Sequence, residues 1–186
     1  NNITINPSSD FQSNTDYYVI VDATCFADMA GNNYDGISSS TSWNFTSADV
    51  NDPVILSLYP PDNSTGVLVD RNLSITFSEP VYAQTGYVVI KEEATGSTFE
   101  SIDVTSGQVT GSGSDSLVFD PSSSFEGETG YYVLIDTSAF DDADNNSFGG
   151  ITSSTRWNFI TEDITSPVVS SFSPSDNDTA VAINSN

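Results

Sequence analysis

The amino-acid sequence predicts an all-β protein made of antiparallel β-sandwich repeats in tandem. Three features predict this fold: short runs in which apolar and polar residues alternate, turn-forming residues between those runs, and an internal repeat. Ser, Thr, Asn, Asp and Gly are abundant, which suits short strands joined by turns. No amphipathic helix longer than a turn or two is expected.

The internal repeat has an offset of 114 positions, which aligns Tyr17 with Tyr131 and continues without a gap to the end of the chain. About 25 of the 56 aligned pairs are identical. The stretch TSWNFTSADVNDP at 41–53, for example, returns as TRWNFITEDITSP at 155–167. Identity over such a length indicates duplication of a structural unit.

The phase of the repeat predicts three parts in this chain. Residues 50–163 form one complete repeat, residues 1–49 are the C-terminal part of a preceding repeat, and residues 164–186 are the N-terminal start of a following one. The sequence leaves open whether a neighbouring chain supplies the strands that the two flanks lack. Since a few strands cannot close a core, we expect an unpartnered flank to be loose or to expose its edge.

Within the complete repeat, runs of alternating residues predict about seven antiparallel strands in two packed sheets. Leu73, Ile75 and Phe77 fall on one face of their strand, because successive side chains point to opposite sides. The clearest predicted strands are 73–77, 86–92, 116–119, 131–136 and 156–161. Turn signals such as PPDNSTG, ATGS and DNNSFGG separate them.

The order of these motifs resembles that of bacterial Ig-like domains, which occur in tandem in surface-layer proteins and large adhesins. The best matches are FSEPV at 77–81, DMAGN at 28–32, and the closing WNF at 43–45 and 157–159. The resemblance implies an immunoglobulin-like sandwich that acts as an extracellular spacer or adhesive module. In the second loop Asp144 and Asn145 replace Ala30 and Gly31, which puts any role of that glycine in doubt.

The charge balance argues against nucleic acid as a partner. The chain has 26 acidic residues against three basic ones and a net charge of -23, so a nucleic acid would be repelled. Cations or high ionic strength would relieve the self-repulsion.

No run approaches the roughly 18 apolar residues that a spanning helix needs, so membrane insertion is not expected.

The residue types also argue against catalysis. The chain has no histidine and a single cysteine, Cys25, which excludes Ser-His-Asp, Cys-His and zinc chemistry. Cys25 aligns with Ala139, and we expect it to be a small buried apolar residue. Glu79 could be nominated for glycoside hydrolysis, but the plainer interpretation is that it ends a strand before Pro80. We predict that the protein is not an enzyme.

Two acidic clusters are candidates for a calcium site. The first is the linker, with Asp49, Asn51 and Asp52 before Pro53; it resembles cadherin linkers, in which calcium stiffens the junction between sandwiches. Carboxylate and amide oxygens are suitable calcium ligands. The alternative is that these residues only turn the chain. The later linker, TEDITSP at 161–167, keeps fewer acids.

The second candidate cluster is the loop that follows the double-tyrosine strand in each repeat. No EF-hand pattern is present, and Asx turns would explain these residues without a metal. The candidates are Asp141, Asp142, Asp144 and Asn146 in the complete repeat, and Asp28 and Asn32 in the first one.

The paired aromatic residues of the closing strands could form a sugar-stacking platform. Their alternation with Val and Ile instead predicts that the Trp and Phe of both copies face the core, namely Trp43, Phe45, Trp157 and Phe159, while one tyrosine of each pair points outward. Glycan binding therefore has no specific support.

These observations predict a non-catalytic structural or adhesive spacer in a large secreted bacterial cell-surface protein. Its expected partners are neighbouring Ig-like repeats of the same chain or of adjacent chains, and calcium is a candidate cofactor. Two alternatives stay open: a carbohydrate-binding or accessory module of a secreted polysaccharide-active enzyme, and a subunit of an extracellular filament completed by strands from a neighbour.

Overall fold

A computed structural model describes residues 2–183 and contains twelve β-strands and no helix in that range. Accordingly, none of the described residues forms a helix long and apolar enough to cross a membrane. The strands are β1 Asp16–Tyr18, β2 Asn44–Thr46, β3 Ile55–Tyr59, β4 Ser64–Val67, β5 Leu73–Ala83, β6 Tyr87–Glu92, β7 Thr98–Asp103, β8 Val109–Thr110, β9 Ser114–Phe119, β10 Gly130–Ile135, β11 Phe140–Asp141 and β12 Asn158–Thr161.

Strands β3 to β12 form a sandwich of two five-stranded sheets. One sheet has the order β4-β12-β10-β6-β7; the other runs β11-β5-β9-β8, with β3 paired to β5. The predicted all-β sandwich is confirmed, with ten strands where about seven were expected. The additional ones include the two-residue strands β8 and β11, which are too short to show an alternating pattern.

The core lies between the two sheets and follows the predicted alternation. Leu73, Ile75 and Phe77 are at most 1% exposed, and Trp157 and Phe159 are equally buried. The Trp157 indole N–H donates a hydrogen bond to the Pro60 carbonyl at 2.9 Å, so its one polar atom is satisfied inside the core. The prediction that these aromatic residues of the complete repeat face the core is therefore correct.

Two features differ from a simple antiparallel sandwich. Strand β4 pairs with β12 in parallel, through Phe159 opposite Ser64 and Thr161 opposite Val67. Strand β5 does not end before Pro80 but continues to Ala83, with an irregularity in its pairing to β9 between Thr76 and Val81. The expectation that Glu79 ends a strand is wrong, because the strand passes through Pro80 at this bulge.

The first segment, residues 2–49, holds only the two-stranded sheet β1-β2. Trp43 is 44% exposed, whereas its repeat counterpart Trp157 is fully buried, so the expectation that Trp43 faces the core is wrong. Cys25 is exposed while Ala139 is 0% exposed, so the expectation of a buried cysteine is wrong. Both differences have one cause: within the described residues no second sheet covers this face.

The C-terminal segment, residues 164–183, contains no strand and is exposed throughout. Its apolar side chains lie largely in solvent, with Val168 at 88% and Phe172 at 66% exposure. Among the described residues, these apolar side chains have no sheet to pack against.

Candidate functional site

Three carboxylates from separate parts of the chain meet where the first segment joins the sandwich. They are Asp49 of the linker, Glu79 of β5 and Asp142 of the loop after β11, and one oxygen of each lies within 4.8 Å of the other two. We refer to these three residues as the carboxylate cluster. The structure thus brings together members of both acidic regions that the sequence singled out, and adds Glu79.

Asp142 is positioned by the turn in which it lies. Its Oδ1 accepts hydrogen bonds from the backbone N–H groups of Asp144 at 2.9 Å and Asn146 at 2.8 Å, and its Oδ2 accepts from Asn146 Nδ2 at 2.8 Å. This Asx turn holds the carboxylate while the residue is 5% exposed. Since a carboxylate oxygen has two acceptor positions, Oδ2 keeps one free for a further partner.

The same turn exists in the first segment. Asp28 Oδ1 accepts from Ala30 N at 2.9 Å and Asn32 N at 2.8 Å, and Asp28 Oδ2 accepts from Asn32 Nδ2 at 2.8 Å. These hydrogen bonds lower the pKa of Asp28, and the bond from the side-chain amide of Asn32 has the largest effect. A metal is therefore not needed to explain the Asp and Asn of either loop.

Asp49 is held by residues of the first segment and by its own turn. Its Oδ1 accepts from Ser13 Oγ at 2.9 Å and from Asn51 N at 3.0 Å, and its Oδ2 accepts from Asn14 Nδ2 at 3.1 Å. The Asn51 backbone bond is the main cause of a lowered pKa at Asp49. The group is thus kept as a carboxylate and is fixed to the first segment and to the linker.

Glu79 reaches the junction because the bulge in β5 interrupts regular pairing. Next to it, Ser78 and Val54 exchange two hydrogen bonds, Ser78 N to Val54 O at 2.9 Å and Val54 N to Ser78 Oγ at 3.1 Å. Loss of water raises the pKa of Glu79, and the negative charges of Asp142, Asp49 and Asp144 raise it further. Within residues 2–183, no positively charged group offsets this rise in the pKa of Glu79.

The linker and the sandwich also touch directly. Asn146 Nδ2 donates to the backbone carbonyl of Asp49 at 3.3 Å. The loop that positions Asp142 is thus the loop that contacts the linker.

The donor set fits a hard cation. Oxygens that bind one calcium ion at about 2.4 Å from it lie at most about 4.8 Å apart, and three carboxylates supply three to six of the six to eight oxygens required. Asp49, Glu79 and Asp142 satisfy this spacing. A bound cation would also neutralise the mutual repulsion that raises the pKa of Glu79.

The other predicted residues take different positions. Asp144 affects Glu79 only through its negative charge, which raises the pKa of Glu79. Asp141 lies in β11 and pairs with Tyr82 of β5. Asn51 and Asp52 are exposed in the linker. Asp28 and Asn32 lie in an exposed loop, and within residues 2–183 no three-carboxylate group includes Asp28. Sequence reasoning missed Glu79 as a member of the cluster. The Ser-Glu-Pro interruption of an alternating strand was the signal that indicates a bulge.

The later linker lacks some of the hydrogen bonds that position Asp49 in the first linker. Asp163, the counterpart of Asp49, also accepts a hydrogen bond from the residue two positions on, Thr165 N at 2.7 Å. The counterparts of Ser13 and Asn14, however, are Gly127 and Glu128, which offer no hydroxyl or amide donor. The side-chain hydrogen bonds that fix Asp49 therefore have no equivalent at Asp163.

Comparison with known proteins identifies the family. The model of the bacterial Ig-like domain matches residues 1–47 and 49–161. A search of curated proteins finds no match. Among solved structures, CopC from Methylosinus trichosporium OB3b is similar, with 11% identity, a TM-score of 0.44, and coverage of 62% of this chain and 99% of that one.

The family match agrees with the observed all-β sandwich and with the resemblance seen in the sequence. Ig-like domains of this kind are typically non-catalytic structural modules, and the match indicates an extracellular or periplasmic location. The chain belongs to the bacterial Ig-like domain family.

Proposed function

We propose that this chain is a structural spacer of a bacterial surface protein, in which a cation, most suitably Ca²⁺, stiffens the junction between consecutive Ig-like repeats. The observation that carries the proposal is the carboxylate cluster, because it joins the linker residue Asp49 to two residues of the sandwich. The internal repeat with an offset of 114 positions supports two consecutive repeats.

A cation in this position would act as a mechanical link. Asp49 belongs to the chain that leaves the first segment, whereas Glu79 and Asp142 belong to the sandwich. Ligands from both sides of a junction restrict bending, since any hinge motion would separate them. A spacer that holds a distal domain away from a cell surface needs such stiffness, and the calcium concentrations found outside cells suit sites of moderate affinity.

The structure offers little support for the carbohydrate-binding alternative. Trp157 and Phe159 are 0% and 1% exposed, so neither presents a ring face to a sugar. Tyr18, the outward member of its pair, is 60% exposed. The spacer role needs no such surface.

The test is thermal unfolding of the full chain in EDTA, in Mg²⁺ and in Ca²⁺, for the wild type and for Glu79→Gln. We expect Ca²⁺ to raise the melting temperature of the wild type by several degrees, because it binds the folded state only. In Glu79→Gln we expect most of this rise to disappear. Mg²⁺ should act weakly, since it demands a stricter octahedral geometry.

Asp115→Asn is the matched control, because it also removes one negative charge, from an exposed residue at the start of β9. It should keep the full response to Ca²⁺. Equal responses in the wild type, Glu79→Gln and Asp115→Asn would show that calcium acts only by screening the net charge. Hydrogen exchange of residues 49–54 should slow in Ca²⁺ if the effect is local to the junction.

A further inference from the structure

The outer face of the sheet β4-β12-β10-β6-β7 is apolar at its centre. In β10 every second residue is buried, and Tyr132 and Leu134 between them point outward, where each is half-buried. In β6 the outward residues are Tyr87, Val89 and Lys91. Strands that are covered on both sides read as nearly continuous apolar runs, as GYYVLI in β10 does. All five strands of this sheet belong to the complete repeat, so the face is described in full.

The strand register arranges the outward side chains in three rows across the sheet. In the central row Leu134 lies opposite Val89. Two residues along β6 towards its C-terminus, Lys91 lies opposite Tyr132. Two residues in the other direction, the third row contains Tyr87. Because residues two apart share a face, the two outer rows lie at equal distances, roughly 7 Å, from the central one.

The row of Tyr87 is acidic. Asp103 of β7 lies opposite Tyr87 on one side. On the other side Asp136 N donates to Tyr87 O at 3.1 Å, and Tyr87 N donates to Asp136 Oδ2 at 2.9 Å. The hydroxyl and the backbone N–H of Thr105 donate to Asp103 Oδ1 at 2.7 and 2.8 Å, and they lower the pKa of Asp103. This carboxylate therefore stays charged, and its Oδ2 keeps acceptor positions for a further partner.

The row of Lys91 carries the opposite charge. Lys91 is one of three basic residues in a chain with 26 acidic ones, and within residues 2–183 its ammonium group forms no ion pair. Asp103 lies four residues away along the strand direction, about 13 Å, which exceeds the Debye length of about 8 Å at physiological ionic strength. Glu93, two residues beyond Lys91, lies over Gly130 at the rim. The face therefore has a positive row and a negative row that are too far apart to pair within one chain.

We propose that this outer face binds the same face of a second copy of the chain, in a two-fold symmetric contact centred on Val89 and Leu134. The symmetry axis lies between the two sheets and runs across the strands, so it reverses the order of the rows. The row of Lys91 then lies over the row of Tyr87 and Asp103 in the other copy, and the reverse holds as well. The central rows of Val89 and Leu134 pack against each other.

The arrangement of charges is the reason why a second copy is the partner that fits. A face with opposite charges at equal distances on either side of its centre is complementary to itself, as an isologous interface requires. Opposed sheets lie about 10 Å apart, so side chains from facing rows touch. Each Lys91 ammonium group then meets the Asp103 and Asp136 carboxylates of the other copy. It also lies over the other Tyr87 ring, whose face attracts a cation.

The contact is weak for one pair of repeats. Three rows across three strands cover on the order of 300 Å², well below the roughly 800 Å² per partner of a stable complex. The net charge of -23 also opposes association. Weak contacts add up when tandem repeats of two chains lie side by side, so the consequence is lateral pairing of neighbouring spacers.

The experiment is a dilution series of the full chain, followed by sedimentation and NMR, in EDTA and about 0.15 M NaCl, where the Debye length is about 8 Å. Because EDTA removes divalent cations, failure here and failure of the cation proposal are separate results. Between about 20 µM and about 1 mM we expect the weight-average mass to rise, as for a dissociation constant near 1 mM. The amide shifts of Val89 and Leu134 should change with concentration, whereas those of β3 and β9 in the other sheet should not.

Charge reversal tests the pairing of the rows. Lys91→Asp and Asp103→Lys each place like charges opposite each other across the symmetry axis, so each variant alone should lose association roughly tenfold or more. Asp103→Lys lowers the net negative charge, so a general charge effect would strengthen association instead. An equimolar mixture of the two variants should recover association, because opposite charges then face each other. Misfolded variants would not recover in the mixture.

Asp115→Lys is the matched control, because it makes the same change of charge at an exposed residue of β9 in the other sheet. It should keep the association. A wild type that stays monomeric with unchanged amide shifts up to about 1 mM would overturn the proposal. So would association that Lys91→Asp or Asp103→Lys leaves intact, or an equimolar mixture of these two variants that fails to associate.

Discussion

At the scale of single residues, the repeat preserves backbone conformation where the side chain changes. Gly31 has φ of 87°, and Asn145, which replaces it in the complete repeat, has φ of 68°. Asparagine tolerates this left-handed conformation better than other residues with a Cβ atom. The doubt that the sequence raised about the missing glycine is resolved, because Asn145 fulfils the same backbone role.

Glu79 leads to a prediction about pH in the absence of divalent cations. Burial and the nearby Asp142, Asp49 and Asp144 raise its pKa above the ordinary value of 4.5. The folded state therefore holds the Glu79 proton more tightly than the unfolded chain does. Between pH 4.5 and the raised pKa the folded state binds more protons, so the free energy of unfolding falls as the pH rises through this window.

The substitution Glu79→Gln should remove this dependence of the free energy of unfolding on pH. In EDTA the variant should be more stable than the wild type at pH 7, and the difference should shrink to nothing as the pH falls below 4.5. Urea unfolding of both proteins from pH 4 to pH 8 measures the difference, with Asp115→Asn as the control for net charge. A Glu79→Gln protein less stable than the wild type at pH 7 in EDTA would contradict the repulsion described here.

At the scale of elements, the alternating strands were predictable and the irregular ones were not. The predicted strands 73–77 and 131–136 correspond to β5 and β10, because alternation records which face is buried. Strand β4 was hidden within the turn signal PPDNSTG, and its parallel pairing depends on a partner far away in sequence. The position of Glu79 at the cluster depends on a bulge, whose direction no local pattern specifies.

Trp157 and its repeat counterpart Trp43 test how much a covering second sheet contributes to the free energy of unfolding. Trp157 is fully buried and hydrogen-bonded to Pro60 O, whereas Trp43 has the same sequence context and is 44% exposed. Trp157→Phe should lower the free energy of unfolding by about 2 to 4 kcal/mol, from lost packing and an unmade hydrogen bond.

Trp43→Phe is the internal control and should change that free energy by less than about 1 kcal/mol, since its ring is half in solvent. Urea denaturation followed by circular dichroism at low protein concentration gives both values. Equal losses for the two substitutions would mean that the first segment buries Trp43 in solution.

At the scale of the whole molecule, the chain is strongly negative and its fold brings several negative charges close together. A chain with a net charge of -23 repels itself, and three of its carboxylates are brought together at a single junction. The sequence predicts that both acidic regions could hold a cation, but not that residues of both regions meet in one carboxylate cluster. That depends on how the loop after β11 packs against the linker, through Asn146 and Asp49.

The most direct test of the junction is a high-resolution crystal structure of the full chain grown with CaCl₂. We predict one ion bound to oxygens of Asp49, Glu79 and Asp142 at about 2.3 to 2.6 Å, with water completing its coordination. An occupied calcium site elsewhere and none at this cluster, or carboxylates of Asp49 and Asp142 turned away from each other, would contradict it.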